Sequence, residues 1–394
     1  GMSTRLKAPP SHLTAAVYDG DTPSVHRSKI RDGSRIILSN PDMLHLAILP
    51  QHTRWAAFFS HLRMVVIDEV HTYRGVFGSH VANVIRRLQR ICHFYGSDPQ
   101  FILTTATISN PEELAAKLIG APATLVGAAR DGAPQGERHV LFYNPPLIDE
   151  DLAIRRSASS EATALASHLL AQRLPTIIFA PSRLTTELML TSLREGMRRS
   201  GGSAGSVQGY RSGYLSAERR TIEHGLRDGT VQGVVTTTAL ELGIDIGQLS
   251  AAVLTGYPGT IASARQQMGR AGRRTGASIA LLVASGAPID QYIVNHPEYL
   301  LHRNPEHALI NPDNVVILAS HLLCAAAEMP LEQGEAYLRK IDVSDGVPEL
   351  LGDLVAAGRL HAAQGRYYWS GEGSPAATVS LRTGSPDRIV IQTA

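Results

Sequence analysis

Seven short apolar runs, separated by segments with helical periodicity, constrain the fold of this chain more than any other feature. None of the runs alternates strictly between apolar and polar residues, which is typical of parallel strands covered on both faces. They lie at residues 35–39, 64–68, 100–106, 176–180, 233–237, 251–256 and 279–284. Strands that alternate with helices predict an α/β protein with doubly wound parallel sheets.

The helices between these runs have readable faces and ends. After the second run, apolar residues recur with the helical spacing i, i+3, i+4 and i+7, at Val81, Val84, Ile85, Leu88 and Ile91. Arg86, Arg87 and Arg90 fall on the other faces of that helix. After the third run, Asn110 is suited to cap the next helix and Gly120 to end it. Each crossover between strands is therefore predicted to be helical.

Changes in composition predict the domain organisation. Glycine, proline and charged residues concentrate between the third and fourth apolar runs, as in a linker. Near the carboxyl terminus, two helical segments precede a hairpin that turns at Gln364-Gly365, an order that favours a winged helix. The predicted parts are lobe one at 1–125, a linker at 126–160, lobe two at 161–300, and a winged-helix-like domain with the start of a following β region at 301–394. We expect the last domain to pack on lobe two, and a plain helical cap on that lobe is the alternative.

Composition narrows the class of protein. The 394 residues carry a formal net charge of +2, so any nucleic-acid surface has to be local. The two cysteines, Cys92 and Cys324, lie in apolar helical segments and are interpreted as core residues in a reducing compartment. The sequence shows no signal peptide and no apolar run long enough to span a membrane. We therefore expect a cytoplasmic, monomeric protein with no membrane partner.

The stretch VVIDEVHTYRG places two carboxylates, Asp68 and Glu69, directly after an apolar run. An ATPase needs one carboxylate for Mg²⁺ and another for the attacking water, and the end of a parallel strand suits both. The next run ends in Thr105-Ala106-Thr107, whose hydroxyls can hydrogen-bond the carboxylate and His71. The alternative is that these threonines serve only as good strand formers.

A second cluster of candidate residues lies in QQMGRAGR, residues 266–273. Arg270 and Arg273 stand three apart, which predicts one face of a short helix, and the two glycines at 269 and 272 predict close backbone packing. Arginines so placed can clamp the charge that develops on a transferring phosphoryl group. A solvated basic turn is the alternative. Upstream, TTTALELGIDIG brings Gly243 and Asp245 after an apolar run, where they can meet a nucleotide.

Four motifs, taken in their order along the chain, resemble those of superfamily-2 helicases: DEVH, TAT, ALELGID and QQMGRAGR. Such helicases have two RecA-like lobes with ATP in the cleft between them. Six longer segments resemble the YprA-like branch, which includes the mitomycin repair factor helicases. They are YDGDTP, SNPDMLH, HTYRGVFGSHVANVIRRL, YRSGYLSAERR, GYPGTIAS and DQYIVNHPEY. The resemblance covers nearly the whole chain.

The resemblance implies a role for each matching residue at the nucleotide. Asp68 would hold Mg²⁺, Glu69 would orient and activate water, and His71 would couple that site to Thr105 and Thr107. From the second lobe, the residues implied to reach or flank ATP are Gln266, Arg270, Arg273, Gly243 and Asp245.

The resemblance also implies a track for DNA, as a single strand or a fork. The residues that match backbone-gripping positions are Asn40, Pro41, Ser182, Arg183 and Thr237. A basic and aromatic set is a candidate addition to that track and comprises Tyr210, Arg211, Tyr214, Arg219 and Arg220. The alternative is that these are packed tyrosines and ordinary surface arginines. In the predicted wing, Arg359 and Arg366 are candidates for phosphate contacts, and Tyr368 and Trp369 either stack on a base or pack under the wing.

No Gly-Lys pair occurs in the chain, although an ATPase of this kind needs a glycine loop that ends in lysine. In the family, that loop precedes the YDGDTP motif, and a four-cysteine module follows the region matched here. The sequence is therefore interpreted as truncated at both ends, with lobe one incomplete and the fragment inactive alone; natural loss of the loop is the alternative. The implied activity is that of an ATP-dependent DNA helicase, 3′ to 5′ and in DNA repair. The competing hypothesis is a non-catalytic nucleic-acid-binding or regulatory two-lobe protein.

Overall fold

The chain folds into two compact units. The structure, a computed structural model, describes residues 14–105, 108–127, 130, 132, 136–152, 154–199, 201–211, 213–241, 246–247, 249–272, 276–339 and 346–384. The first unit is drawn from residues 1–105, 110–125 and 308–394, and the second from 106–109 and 126–307. The first unit thus combines segments that lie far apart in the sequence.

The described residues up to 125 form two pairs of parallel strands with helices between them. The strands are β1 (Ala15–Val17), β2 (Ile36–Leu38), β3 (Met64–Ile67) and β4 (Gln100–Leu103). The α-helices are α1 (Ser24–Gly33), α2 (Pro41–Met43), α3 (Ala56–Phe59), α4 (Gly75–Phe94) and α5 (Pro111–Ile119), and tighter or wider helical turns lie at Leu44–Ile48, Leu49–Trp55 and Val70–Thr72. β1 pairs with β2 and β3 with β4, both parallel. The apolar runs predict β2, β3 and β4, whereas β1 lies outside them and was not predicted.

The ends of α5 bear out one prediction and correct another. Gly120 ends the helix in the left-handed conformation at φ +66°. Asn110 stands at the amino-terminal cap but makes no capping bond with its side chain. Its amide instead donates to the Glu113 carboxylate at 2.9 Å and exchanges bonds with the backbone of Ala308 at 3.2 and 2.9 Å. The predicted cap was wrong because a distant segment of the same unit offers Asn110 both a donor and an acceptor.

The second unit contains a six-stranded sheet in which every neighbouring pair is parallel. The strands of this sheet are β5 (Arg138–Tyr143), β8 (Thr176–Phe179), β9 (Val207–Tyr210), β10 (Gly233–Thr236), β11 (Ala251–Thr255) and β12 (Ser278–Val283), and a separate ribbon is formed by β6 (Leu147–Asp149) and β7 (Ile154–Arg155). The helices of this unit are α6 (Ala158–Ala171), α7 (Arg183–Arg199), α8 (Ser216–Asp228), α9 (Ile261–Met268), α10 (Pro288–Asn295) and α11 (Glu298–Leu301). The strand order is β5-β12-β11-β8-β10-β9. The central strands β8, β10 and β11 are buried along their whole length, which is why they appear in the sequence as unbroken apolar runs.

Two strands of this sheet were not predicted, and both lie at its edges. β5 falls inside the segment interpreted as a linker, and β9 has the weakly apolar sequence VQGY. β5 begins with Arg138 and His139 and is at most half-buried, so it lacks the apolar run that marks a central strand. An edge strand gives a weaker sequence signal because only one of its sides is paired.

Residues 308–384 contain the predicted helix pair and hairpin. The elements are α12 (Val315–Glu328), β13 (Leu331–Glu332), α13 (Ala336–Arg339), α14 (Val347–Ala356), β14 (Leu360–Ala363) and β15 (Arg366–Trp369), followed by a helical turn at Pro375–Thr378. The hairpin turns at Gln364 (φ +53°) and Gly365 (φ +73°), two left-handed residues as in a type I′ turn. β13 adds to β15 as a third antiparallel strand. The winged-helix prediction is confirmed.

This domain packs within the first unit, so the expectation that it packs on lobe two was wrong. Arg86 of α4 lies 2.7 Å from the Asp313 carboxylate, and Arg90 donates to the Ala325 carbonyl at 2.8 Å. Arg87 forms a fully buried ion pair with Glu328. These arginines were placed on the non-apolar faces of α4, which is correct, but those faces meet α12 instead of water. Periodicity identifies an apolar face but cannot show that charged partners cover the other one.

Candidate functional site

Asp68 and Glu69 follow β3 immediately, at the carboxyl end of a parallel strand pair. Glu69 adopts the left-handed conformation at φ +52°, which is rare for a residue other than glycine. Its amide donates to Asp68 Oδ1 at 2.9 Å, and its carbonyl accepts from the Thr72 amide at 2.9 Å and from the Thr72 hydroxyl at 2.8 Å. These bonds hold a tight turn that turns both carboxylates out of the strand.

Thr104 is the neighbour of Asp68, and sequence reasoning missed it. The Thr104 hydroxyl donates to Asp68 Oδ1, and its carbonyl accepts from the Val70 amide at 2.9 Å. The register pairs Ile67 with Leu103, so the next positions, Asp68 and Thr104, stand side by side. The sequence prediction extended the strand to residue 106, whereas it ends at 103, and this shift hid the pairing.

Asp68 fits the role of a magnesium ligand by its donor chemistry. Both described hydrogen bonds use Oδ1, so the exposed carboxylate keeps Oδ2 for a hard cation. Mg²⁺ is commonly held by one or two carboxylates together with substrate phosphates and water. Within the described ranges, no group of three or more His, Cys, Asp or Glu side chains is arranged to hold a metal ion by itself.

His71 lies buried beside the same turn. Its Nδ1 is 3.4 Å from Glu69 Oε2 and 3.5 Å from the Thr105 hydroxyl. The structure thus brings His71 and Thr105 together, although the coupling role assigned to them stays a prediction. Thr107 lies outside the described residues.

The second cluster of candidate residues is built around the end of α9. Gln266 is half-buried on this helix, and Arg270, 8% exposed, follows it. The helix ends at Met268, so Arg270 does not lie on a helix face and the predicted arginine pair on one face was wrong. The glycine at 269 ends the helix as its carboxyl cap. Arg273, Gly243 and Asp245 lie outside the described residues.

Close packing is confirmed at Gly272 of this motif. Gly272 has φ +74°, and a Cβ there would stand 2.5 Å from Ser278 Cβ. A Cβ at Gly269 would stand 3.0 Å from the Arg265 carbonyl oxygen. A side chain at Gly272 would therefore require Ser278 to move, whereas Gly269 meets only the preceding turn of its own helix.

Glu241 and Gln267 connect two of the sequence motifs and were not predicted. Glu241 Oε2, in ALELGID, accepts from the Ser263 hydroxyl at 2.7 Å and from the Gln267 amide at 3.0 Å. Gln267 is 3% exposed, so this link is buried. Spacing alone singles out the first glutamine of QQM, Gln266. The second, Gln267, is recognisable because it lies one helical turn from Ser263 on the buried side of α9.

The residues predicted to contact nucleic acid lie at the starts of helices or just after strands. Asn40 caps α2 by accepting from the Met43 amide at 2.8 Å, with Pro41 in the first turn. Ser182 accepts from the Thr185 amide at 3.1 Å just before α7, whose first residue is the exposed Arg183. Thr237 is half-buried and follows β10. Their role toward nucleic acid stays a prediction.

The basic and aromatic set divides into packed and exposed members. Tyr210 is 2% exposed and donates to Glu223 at 2.7 Å, so it packs in the core and cannot stack on a base. Arg211 pairs with Glu187 at 2.8 Å and lies 4.9 Å from the ring of Tyr214. Arg219 is half-buried and Arg220 exposed. The alternative of packed tyrosines is thus correct for Tyr210.

In the wing, the arginines are engaged by neighbours on the protein. Arg366 lies 2.6 Å from Glu332, and both side chains are more than half exposed. The Arg359 guanidinium lies 5.6 Å from the ring of Trp369, whose indole donates to the Gly373 carbonyl at 3.1 Å. Trp369 packs against the domain core, whereas Tyr368 is half-buried outside that cluster.

Comparison with known proteins assigns a family to three stretches of the chain. Residues 2–114 match the DEAD/DEAH box helicase model, residues 161–275 match the helicase conserved C-terminal domain, and residues 310–384 match the winged helix domain of the ATP-dependent helicase HRQ1. Across the described part of the chain, no helix combines the length and apolarity needed to cross a membrane.

Individual relatives align along nearly the whole chain. It is 53% identical to the ATP-dependent helicase YprA of Bacillus subtilis over 96% of this chain and 50% of that protein. It is 38% identical to the ATP-dependent helicase HRQ1 of Saccharomyces cerevisiae over 95% of this chain and 35% of that protein. The chain therefore spans half of the first relative's length and about a third of the second's.

A solved structure shows the same fold. A crystal structure of the DUF1998 helicase MrfA bound to DNA superposes with a TM-score of 0.88 at 53% identity, covering 94% of this chain and 48% of that one. The motifs, the parallel sheets and the winged helix agree with these matches. The chain belongs to the superfamily-2 DEAD/DEAH-box helicases, in the branch that contains YprA and MrfA.

Proposed function

We propose that this protein is the motor core of an ATP-dependent DNA helicase or translocase. The observation that carries the proposal is the turn after β3, where Glu69 is held in a left-handed conformation and Asp68 keeps one carboxylate oxygen for a cation. Asp68 would hold Mg²⁺, which would neutralise negative charge on the phosphates of ATP. Glu69 orients the attacking water and accepts its proton.

The second unit supplies its own groups to the same reaction. Gln266, Arg270 and Arg273 contact the nucleotide, with Gly243 and Asp245 beside it, and the arginines stabilise charge on the transferring phosphoryl group. The buried link from Glu241 to α9 supports this role, because it fixes the helix that carries Gln266.

The DNA contacts are proposed on the backbone only. Asn40, Pro41, Ser182, Arg183 and Thr237 position the strand without reading its sequence, as a translocase requires. The DNA-bound MrfA structure supports DNA as the partner. We further propose that the substrate is a single strand or a fork, that movement is 3′ to 5′ and that the role is in DNA repair. A monomeric state, a cytoplasmic location and a division into domains at 1–125, 126–160, 161–300 and 301–394 are also proposed.

The competing proposal is a non-catalytic nucleic-acid-binding or regulatory protein. The absence of a Gly-Lys pair from the sequence favours it for this polypeptide, whereas the Asp68–Glu69 turn favours an enzyme. The two proposals differ in one respect that can be measured. If a phosphate loop is supplied, an enzyme core hydrolyses ATP and a regulatory protein does not.

The test is a chimera in which the segment of B. subtilis YprA that precedes its match to this chain is fused in front of it. We expect DNA-stimulated ATP turnover in the chimera of roughly 1–100 s⁻¹, and negligible turnover by the 394-residue chain alone. In the chimera, Glu69→Gln should lower turnover by about 10²- to 10⁴-fold while ATP binding persists, because the amide keeps the size but cannot accept the proton.

Glu112→Gln is the matched control, because this substitution makes the same chemical change away from the Asp68–Glu69 turn. Glu112 is exposed at the start of α5. Unwinding of duplexes with a 3′ or a 5′ tail tests direction in the same preparation. Turnover in the Glu69→Gln chimera equal to that of the Glu112→Gln chimera would refute the role given to Glu69. A folded, DNA-binding chimera without any turnover would favour the regulatory proposal.

A further inference from the structure

A pocket of about 310 Å³ lies between α1 and the helical turns at Leu49–Trp55, away from the Asp68–Glu69 turn in sequence. Its walls carry Arg27 and Arg31 from α1 and Arg54 from the facing turns, and none of the described residues that line it is a carboxylate. The volume is at the low end of the range for small-ligand sites. Three arginines around one cavity of this size indicate an anionic ligand.

The charge of this pocket is only partly neutralised by the protein. Arg31 is held by Asp32 through two bonds of 2.8 and 3.0 Å. Arg27 donates to the carbonyls of Thr22 and Asp19 at 3.1 and 3.4 Å, and Arg54 donates to the Gln51 side-chain oxygen at 3.2 Å. Within the described part of the chain, Arg27 and Arg54 thus have neutral partners and contribute two positive charges that no carboxylate pairs with.

The start of α1 adds to this potential. Ser24, the first residue of the ten-residue helix, lines the pocket, and Pro23 before it provides no side-chain cap. Amide groups in a first helical turn carry partial positive charge and favour an anion. Ser28 lies one turn further on and also lines the pocket, so a hydroxyl donor stands among the arginines.

The aromatic residues of the pocket restrict what its ligand can be. Trp55 is 3% and Tyr18 7% exposed, and the two rings contact each other edge to face at 5.0 Å between centroids. Rings buried to this extent offer no face on which a base can stack. The pocket therefore suits phosphate and sugar, and it can bind a strand without reading its sequence.

The pocket lies next to the start of the proposed DNA track. Ser39 donates from its hydroxyl to the Tyr18 carbonyl at 2.7 Å, and Asn40 and Pro41 follow Ser39 directly. The Ser39–Tyr18 bond thus connects the pocket directly to the residues predicted to grip the strand. Free polyphosphate would be attracted by the same charge, but only a strand accounts for the position beside Asn40.

We propose that the pocket formed by Arg27, Arg54 and the start of α1 binds a backbone phosphate of the nucleic-acid strand, as a contact additional to Asn40 and Pro41. The inference rests on the proposed function for the identity of the strand. It concerns binding and not hydrolysis, so the two can fail separately.

The test uses the 394-residue chain and a fluorescently labelled oligothymidine. We expect Arg54→Ala to weaken binding roughly tenfold, and to lower the slope of log Kd against log salt concentration by about one. Arg63→Ala is the matched control, because Arg63 is exposed and precedes β3, at the opposite end of that strand from Asp68. It should change affinity less than about twofold.

Trp55 gives a second, local readout. The chain has two tryptophans, so in a Trp369→Phe background the remaining emission comes from the pocket. Oligothymidine should change that emission at a lower total phosphate concentration than pyrophosphate does. Because Arg27 also supports the Asp19–Thr22 turn, the test relies on Arg54, whose described partner is a single exposed side chain.

Three results would overturn the proposal. Equal losses in the Arg54→Ala and Arg63→Ala proteins would show an unspecific effect of charge. Saturation of the Trp55 signal by pyrophosphate first would assign the pocket to a free polyphosphate. Unchanged Trp55 emission on DNA binding would place the strand elsewhere. A loss confined to Arg54→Ala supports the pocket even if the YprA chimera hydrolyses no ATP.

Discussion

At the scale of single residues, the candidate nucleotide site depends on unusual backbone conformations. Glu69 lies at φ +52°, where a residue other than glycine is strained by about 1–3 kcal/mol. The bonds from its amide to Asp68 and from Thr72 to its carbonyl offset that strain. The backbone that carries the Glu69 carboxylate is thus fixed before any ligand arrives, as the proposed role in orienting water requires.

Gly272 tests the second cluster at the same scale. Gly272→Ala should destabilise the second unit by about 2–3 kcal/mol, because the new Cβ overlaps the Ser278 side chain and φ +74° disfavours alanine. Gly286→Ala is the control: nothing lies within 4 Å of its Cβ, and we expect a change within about 0.5 kcal/mol. Urea denaturation of both variants measures the difference. Equal midpoints would mean that the loop around Gly272 relaxes freely.

Sequence reasoning was accurate for residues whose position follows from a strand end, and inaccurate where partners come from afar. Asp68 and Glu69 were placed correctly because an apolar run must end where charge begins. Thr104 was missed because two more threonines prolong its run and disguise the end of β4. Asn110 was assigned to a cap, but its partner is Ala308, almost two hundred residues away. Spacing within one element contains no information about such contacts.

At the scale of elements, the wing offers two arginines whose protein contacts are weak. Exposed ion pairs such as Arg366–Glu332 contribute at most about 1 kcal/mol, so phosphate can replace the carboxylate. Trp369 is fixed by its bond to Gly373 and by the domain core. We therefore propose that the arginines of the wing contact DNA while Trp369 maintains the fold.

Replacing Arg359 and Arg366 together by alanine should weaken DNA binding and lower its salt dependence, with the melting temperature unchanged. Glu332→Gln is the informative control, because it releases Arg366 without removing it and should leave affinity equal or higher. Fluorescence anisotropy and thermal melting measure the two effects. Unchanged affinity together with a lower melting temperature would make this domain a brace instead of a DNA contact.

The elements themselves were largely predictable, and their assembly was not. The seven apolar runs correspond to β2, β3, β4, β8, β10, β11 and β12, and the Gln364-Gly365 turn was identified from its residue types. Edge strands β5 and β9 lack an apolar run. The packing of α12 on α4 depends on buried arginines, which a pattern of apolar residues does not register.

At the scale of the whole molecule, a buried polar cluster connects residues 45–87 with residues 321–328 inside the first unit. His45, His80 and His321 are at most 3% exposed and surround the fully buried Arg87–Glu328 pair. Arg87 hydrogen-bonds to His45 at 2.8 Å and to His321 at 3.2 Å, and His80 lies 3.0 Å from His321. Because Arg87 is charged, these histidines are stable together only as neutral rings.

This cluster predicts that the first unit loses stability in mild acid. Burial, followed by the charge of Arg87, lowers the pKa of His45 to about 3 and that of His321 well below its usual value, and burial lowers the pKa of His80. In the unfolded chain each histidine titrates near pH 6.5, so below that pH the unfolded state binds protons that the folded state excludes. The stabilising contribution is therefore complete above about pH 6.5 and is lost as pH falls toward 3, by up to about 1.4 kcal/mol per pH unit for each histidine.

Calorimetry between pH 7 and pH 5 measures this loss. The unfolding transition whose midpoint temperature is lowered by Gly272→Ala at pH 7 belongs to the second unit. We expect the midpoint temperature of the other transition to fall further on acidification. His45→Gln should reduce the pH dependence of that transition, because it removes one group that must be neutral to fold. His26→Gln, a change at an exposed side chain of α1, should not. If both variants kept the full pH dependence, acid sensitivity would have to arise outside the cluster, and the three histidines would serve only to fill space between α4 and α12.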